Sequence, residues 1–351
     1  MNIVYGVSGE GLGHVYEAIQ VADRLRREGH SVKVLTYGER ALKSLAEFKP
    51  TEIEGIHLKL GPKGMSVGRT IVANLPCIPF YFRNWGRLRS ELEDFEPDVF
   101  VTAYEPFSMV ASHLFGKPLI SMDNQNELMH AKAPPGTHLP SLWVVKLATF
   151  LCTYGARYYV IKSLVRRGAS GRSHRFVAPV IQREIRTLKP TNDGPVLVYL
   201  TKPNPAFLEV LRSVDETFIV YCRNPVGREG NLIFRAQGGS YLGDLGACKA
   251  IIATTGFSLI ADALFLKKPY FGVPVRGQFE QVYNAHFLKH LGIGDWSDQP
   301  TAADIGRFLA DLGAYRERLL ACNLDPVEQE NTLLGLIQEL GAEEPRPLAV
   351  S

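Results

Sequence analysis

Short apolar runs alternate with amphipathic stretches along almost the whole 351-residue chain. The runs Ile3–Val7, Ser31–Leu35, Gly55–Leu60, Val99–Thr102, Pro118–Met122 and Tyr158–Ile161 have the near-continuous apolar character of strands covered on both faces. Between them the spacing is helical. After Gly13, for example, Val15, Ala18, Ile19, Ala22 and Leu25 fall on one face. The rhythm breaks over 179–195, where QREIRTLKPTNDGP is polar and marked by proline. It restarts with Val196–Leu200, Thr217–Cys222, Asn231–Phe234, Ala250–Ala253 and Tyr270–Val273. The pattern predicts an α/β chain of two Rossmann-like, doubly wound domains. They span 1–180 and 195–342, joined by a linker at 181–194 and followed by a frayed tail at 343–351. Ligands are expected at the carboxyl ends of the strands.

Composition narrows the class without naming a chemistry. A hydrophobic fraction of 46% and a charged fraction of 21% are those of a globular protein. The five cysteines are scattered with no CxxC pair, which fits buried thiols in a reducing cytoplasm and offers no metal-ligand spacing. The start MNIVYGVSG reads as a strand entering a glycine turn, not a leader, and no apolar run is long enough to span a bilayer. Net charge is +3, with the basic excess confined to the first half. There Thr70–Arg89 interleaves aromatics, prolines and arginines. It reads either as a helix or loop packed on the core with solvated arginines, or as a peripheral contact with anionic membrane. Nucleic acid is not expected as a partner, since no recognition motif accompanies the charge.

Candidate chemistry sits at strand-to-helix turns. Ser8-Gly9-Glu10-Gly11-Leu12-Gly13-His14 permits a tight turn and close ligand approach. It is GxGxG, not the dinucleotide GxGxxG, although Glu39 near the end of the second strand keeps an NAD reading open. His14 at a helix N-terminus is disfavoured as imidazolium, so it is a candidate general base, or else a residue capping the turn. Asp123 and Asn124 follow an apolar strand: Asp123 as a partner for His14 and Asn124 as an acceptor ligand, or both as turn-formers. Glu105 is read as an exposed helix-start carboxylate or an acceptor ligand. In the second half, Thr254-Thr255-Gly256 ends a strand and opens a helix carrying Phe257, Ser258 and Asp262. The next helix bears Glu280, Gln281 and Asn284. Small residues at such a turn let backbone amides meet an anion, and the helix dipole favours negative charge there.

The glycine turn ending in His14 and the string TTGFS…D…KKP…VP…EQ..NA resemble inverting glycosyltransferases of the GT-B fold, and among them the MurG-like enzymes that glycosylate lipid-linked peptidoglycan precursors. The resemblance spans most of the chain and is specific at the first turn and over Ala250–Ala285. It implies two domains facing across a cleft, with acceptor held by the first and donor by the second. It places the donor diphosphate on the amides of Thr255, Gly256, Phe257 and Ser258, with Gly11 and Gly13 nearby. It puts the ribose on Asp262 and the donor sugar on Glu280, Gln281 and Asn284. It further implies transfer from a UDP-sugar to a hydroxyl of a lipid-linked or glycan acceptor, with a secondary metabolite as the other acceptor class. No DxD motif occurs, so no metal or other cofactor is expected, and the Thr70–Arg89 patch points to the inner face of the cell membrane. Two departures stand out: Asp262 replaces the relatives' usual Glu, and Thr201–Asn204 replaces a second glycine-rich turn. A nucleotide-sugar hydrolase or epimerase, an NAD-dependent oxidoreductase and a non-catalytic donor-binding subunit are the alternatives.

Overall fold

The computed structural model describes residues 1–342 apart from 10–11, 56–59, 62–63, 66, 76, 131–138, 165–171, 201–204, 222–225 and 237. Gly11, Thr201–Asn204 and the tail at 343–351 therefore lie outside the described residues, as do the side chains of Phe80 and Phe82. The chain builds its sheets in order along the sequence. The strands are β1 (Asn2–Val7), β2 (Ser31–Thr36), β3 (Thr51–Glu52), β4 (Leu60–Gly61), β5 (Gly64–Met65), β6 (Val99–Ala103), β7 (Leu119–Asp123), β8 (Tyr158–Lys162), β9 (His174–Val177), β10 (Val196–Tyr199), β11 (Phe218–Tyr221), β12 (Gly227–Glu229), β13 (Leu232–Arg235), β14 (Ile251–Ala253), β15 (Tyr270–Gly272) and β16 (Gly294–Trp296).

The first sheet runs β3-β2-β1-β6-β7-β8-β9 and every neighbouring pair is parallel. The second runs β12-β13-β11-β10-β14-β15-β16 and is parallel except for the β12 edge. In each sheet the chain winds outward from a central strand and then crosses to its other side. The switch points fall between β1 and β6 and between β10 and β14. Crevices open at the carboxyl ends of strands at such points. The turns ending in His14 and in Ser258 follow β1 and β14, so the topology places both candidate loops there.

β6 and β7 are buried at every position, as parallel strands covered by helices on both faces must be. Val15, Ala18, Ala22 and Leu25 of the helix Leu12–Arg27 join Ile3, Tyr5 and Val7 of β1 in one core. The second sheet carries a core on each face. Lys268, fully buried, donates to the carbonyls of Gly246 at 2.8 Å, Cys248 at 2.7 Å and Thr191, which ties the linker to the second domain. The KKP segment therefore has a structural task.

Packing crosses the boundaries read from sequence. The helix Glu328–Ala342 buries Leu333, Leu334, Leu336 and Ile337 in the core of the first sheet. Full burial is worth about 1.5–3 kcal/mol for each such side chain. Polar contacts fix its seat: Glu328 accepts from the Ala178 amide at 2.8 Å, and Arg186 pairs with Glu330 at 3.2 Å. Conversely Leu164, Ile181 and Ile185 pack into the second domain's core. The expected strand Gly55–Leu60 is described only at its ends, where Gly55 lies outside any strand and Leu60 pairs with Met65.

Candidate active site in the interdomain cleft

The two switch-point turns meet. Gly13 opens the first turn of helix Leu12–Arg27, and a Cβ built on it would lie 2.7 Å from Ser258 Oγ, in the first turn of helix Phe257–Phe265. Two helix N-termini therefore face one another across the cleft. Gly256 is the N-cap of the second helix, and no side chain caps it. The first amides of a helix lack partners within it, so this end presents donors and a partial positive charge. A Cβ on Gly256 would meet nothing within 4 Å, so the space beside it is open.

Behind that turn, side chains hold the loop. Thr255, fully buried, donates from Oγ1 to the Gln281 carbonyl at 2.7 Å, and Asn284 Nδ2 donates to the Thr255 carbonyl at 3.1 Å. Gln281 Oε1 accepts from the Val275 amide at 2.9 Å. Gln281 and Asn284 were expected to touch the donor directly. Neither lines the cavity: Gln281 Oε1 and Asn284 Nδ2 are taken up by backbone, and both residues brace the Thr254–Gly256 turn.

A cavity of about 230 Å³ lies between the domains. Gly13, His14, Asn124, Phe257, Ser258, Asp262 and Glu280 line it, so the structure brings seven of the expected site residues together. Asn124 Nδ2 donates to Glu280 Oε1 at 3.0 Å across the interface. Asp262 is 8% exposed, and its carboxylate accepts no hydrogen bond among the described residues. Burial pushes its carboxyl up to about 7. Glu280 is also raised by burial, against the hydrogen bonds from Asn124 and Gln125. Neither acid is a solvated helix carboxylate: Asp262 is buried and Glu280 is half-buried.

His14 lines the same cavity, and its buried Nδ1 has no hydrogen-bond partner among the described residues. Burial, and then the nearby Lys162 ammonium, lower its pKa to about 3. It is neutral, as expected, but burial leads the effect. The expected pairing with Asp123 does not form. Asp123, fully buried, instead accepts from the Asn126 amide at 2.8 Å, Asn126 Nδ2 at 3.0 Å and Ser121 Oγ at 3.0 Å. Those donors from its own turn satisfy the carboxylate, so it holds the turn that carries Asn124.

Glu105 is likewise corrected. It is a fully buried N-cap, accepting from the Phe107 amide at 2.7 Å and the Ser108 amide at 2.9 Å, and it does not line the cavity. Burial raises it to about 7. Gly6 in β1 makes room for it, since a Cβ there would stand 1.8 Å from Glu105 Oε1.

Several cavity residues were not anticipated. Tyr104 stacks on His14 with ring centroids 6.1 Å apart and holds φ 62. A non-glycine residue in that region stores about 1–3 kcal/mol of strain, typically at functional sites. Glu17 and Lys162 form a buried ion pair at 2.5 Å, and Gln329 donates to the other Glu17 oxygen. Lys162 ends the strand YYVIK, and a lysine at the carboxyl end of an apolar strand was a usable signal. Gln20 and Gln125 complete the polar wall.

Residues 1–313 match the family described as glycosyl transferase family 1, and the chain belongs to that family. The fold is shared with solved glycosyltransferases of the GT-B type. The glycosyltransferase of kitacinnamycin superposes with a TM-score of 0.67 at 14% identity, covering 96% of this chain and 98% of that one. MurG of Acinetobacter baumannii gives 0.58 at 15%, over 97% and 100%. The spinosyn rhamnosyltransferase SpnG complexed with thymidine diphosphate gives 0.60 at 13%, over 97% and 100%. Comparison with curated protein sequences gives no match.

Proposed function

We propose that the protein transfers a sugar, with inversion, from a nucleoside diphosphate sugar to a hydroxyl of a lipid-linked or glycan acceptor, with a UDP-sugar as the first candidate donor. The observation that carries this reading is the opposition of the two helix N-termini at Gly13 and Ser258 over a cavity holding His14, whose Nδ1 has no hydrogen-bond partner among the described residues. Amides at helix N-termini suit a diphosphate, and they stabilise the charge that develops as it leaves. Asp262, one turn further along, is placed to accept from ribose hydroxyls. Spinosyn SpnG, which shares the fold, is complexed with thymidine diphosphate, which supports a nucleotide in this cleft.

In the proposed reaction the acceptor hydroxyl gives its proton to His14 and attacks the anomeric carbon from the face opposite the diphosphate. At a pKa of about 3, His14 is a weak base in the free protein. A diphosphate bound beside it favours imidazolium and so raises its basicity when it is needed. The positive ends of the helices supply the electrostatic stabilisation, and the reaction is proposed to run without metal.

The lipid side of this reading rests on the helix Leu139–Thr153, which is apolar on both faces. Val144, Val145 and Ala148 line the cavity, while Trp143 (68% exposed), Leu147 and Phe150 face outward beside Lys146. Val72 and Leu75 of the Thr70–Arg89 segment are also exposed. An apolar face with a basic residue suits the surface of an anionic membrane. Among the described residues no helix is long and apolar enough to cross one.

The test is incubation with a donor panel and an extracted lipid fraction. Release of nucleoside diphosphate only when acceptor is present, with a product of inverted anomeric configuration, supports transfer. Release without acceptor would indicate a hydrolase. Binding with no turnover would indicate a partner subunit.

A further inference from the structure

Glu105 is not among the residue types that cap helices best. Ser, Thr, Asp and Asn lead, because a short side chain reaches the amides of the first turn. Glu105 caps the helix Pro106–Leu114 with a longer one, accepting from the Phe107 amide at 2.7 Å and the Ser108 amide at 2.9 Å. It is fully buried, lies outside the cavity, and pairs with no cation among the described residues. A carboxylate buried without a cation is costly, so the extra methylene calls for a reason.

That length carries the carboxylate onto β1. Gly6 leaves a notch for it: a Cβ there would stand 1.8 Å from Glu105 Oε1 and 2.2 Å from Ser108 Oγ. Beyond Gly6, the Ser8 amide donates to the Ala103 carbonyl at 3.0 Å, and the chain then enters the turn that carries His14. The backbone of Glu105 is held as well. Thr102 Oγ1 donates to the Glu105 carbonyl at 2.8 Å and accepts from the Glu105 amide at 3.2 Å. Between these two residues stands Tyr104, at φ 62, its ring 6.1 Å from the His14 imidazole with 14° between the planes. A tyrosine keeps that backbone conformation only where its surroundings over-determine it. Thr102 and Glu105 supply the constraint from both sides.

We propose that Glu105 is a positioning residue, which by seating on Gly6 fixes the Tyr104 ring against His14. It acts through Tyr104, and the ring in turn holds the imidazole in one orientation. The ring also has an electrostatic part to play. An aromatic face attracts a cation, so it favours the imidazolium that forms as the acceptor hydroxyl gives up its proton. An aspartate would keep the cap but fall one methylene short of Gly6, which separates the two tasks of Glu105. The placement of the ring stands on geometry alone. Its effect on turnover rests on the sugar-transfer reading above, in which His14 is the base.

The experiment records histidine ring protons by NMR on the full chain, with His14 assigned from the His14→Gln variant. Tyr104→Leu defines the ring-current shift that Tyr104 imposes on His14. Glu105→Asp should lose most of that shift while melting within about 4 °C of wild type, because the helix stays capped. Glu105→Gln should keep the shift. It retains the length, and one oxygen can accept from both backbone amides, as Glu105 Oε2 already does. In turnover assays Glu105→Asp should lower kcat by about 10–100-fold with donor KM unchanged, as a misplaced catalytic group does. Glu105→Asp with Tyr104→Leu should be no slower than Tyr104→Leu alone. A His14 shift unmoved by Tyr104→Leu or by Glu105→Asp would overturn the inference, as would a shift lost equally in Glu105→Gln. So would additive losses in kcat. A far lower melting temperature in Glu105→Asp would assign Glu105 to the fold alone and overturn it too. The expected NMR pattern in a chain that turns over no nucleotide sugar would instead remove the sugar-transfer reading and support the ring placement.

Discussion

Gly13 and Ser258 come from different domains, and the space between them leaves no room for a methyl group: a Cβ on Gly13 would stand 2.7 Å from Ser258 Oγ. This contact brings the two helix N-termini together over the cavity. Gly13→Ala should lower kcat/KM by roughly tenfold, since it forces the turns apart where geometry matters most. Ser258→Ala combined with it should restore much of the loss, because the obstacle is one side-chain oxygen. Kinetics of the two single variants and the double variant check this, and strictly additive losses would separate Gly13 from Ser258.

His14→Ala should reduce turnover by about 10²–10⁴ if the imidazole is the base, measured as kcat at saturating donor. Near-wild-type turnover would remove it from the chemistry. The free imidazole titrates near 3, below its usual 6.5. Because the folded state refuses a proton that the unfolded state accepts, His14 lowers stability as pH falls from about 6.5 towards 3. His14→Gln should therefore flatten part of the acid limb in chemical denaturation. NMR titration of the imidazole should show its pKa rising when UDP binds.

Asp262 carries the opposite sign. Its folded pKa of about 7 lies above the unfolded carboxylate, near 3.9. The folded state is favoured while the group is protonated, and stability declines as pH rises from about 3.9 to 7, with the full cost present above that. Asp262→Asn should thus stabilise the free protein at pH 8. Ribose hydroxyls donate best to the ionised form, so donor affinity should rise through pH 7 in wild type and stay flat in the variant. Calorimetric titration of UDP at pH 6 and 8 reads this directly, and an unchanged affinity would take Asp262 out of the ribose site.

Lys162→Met should leave Glu17 charged and buried with only Gln329 beside it. Breaking one side of a buried pair costs about 3–5 kcal/mol. Glu17→Gln with Lys162→Met should recover a good part of that, as read by urea unfolding. It should not recover acceptor turnover if the ammonium touches substrate.

Membrane contact is tested with sedimented vesicles. The chain should bind those containing anionic lipid. Trp143→Gln with Leu147→Gln should abolish binding without altering UDP affinity, since both side chains face outward. Equal binding by the variant would discard the patch.

Much of the scaffold was legible because periodicity reports burial. The stripe Val15, Ala18, Ala22 and Leu25 was correctly read as a core face, and the central strands fell within a residue or two of their observed ends. Glu17 and Gln20 escaped because the same helix has a second buried face, made by the cleft, and polar residues there look like solvated ones. The strands HRFV and GDW at the sheet edges carry too few apolar residues to stand out. Helix Glu328–Ala342 has a readable apolar pattern, but nothing in that pattern says which domain will cover it. Asp123 was assigned to His14 by topology, whereas Ser121 and Asn126, two and three residues away, satisfy it first.

The most direct test of the central claim is a thermal-shift panel of UDP, dTDP, their sugars and NAD(P) on the intact chain. A ligand at 100-fold excess over its Kd stabilises the native state by about 2.7 kcal/mol. A clear upward shift with one nucleoside diphosphate, lost in Asp262→Ala, is the expected result. A shift with NAD(P) and none with any nucleoside diphosphate or its sugar would contradict the account.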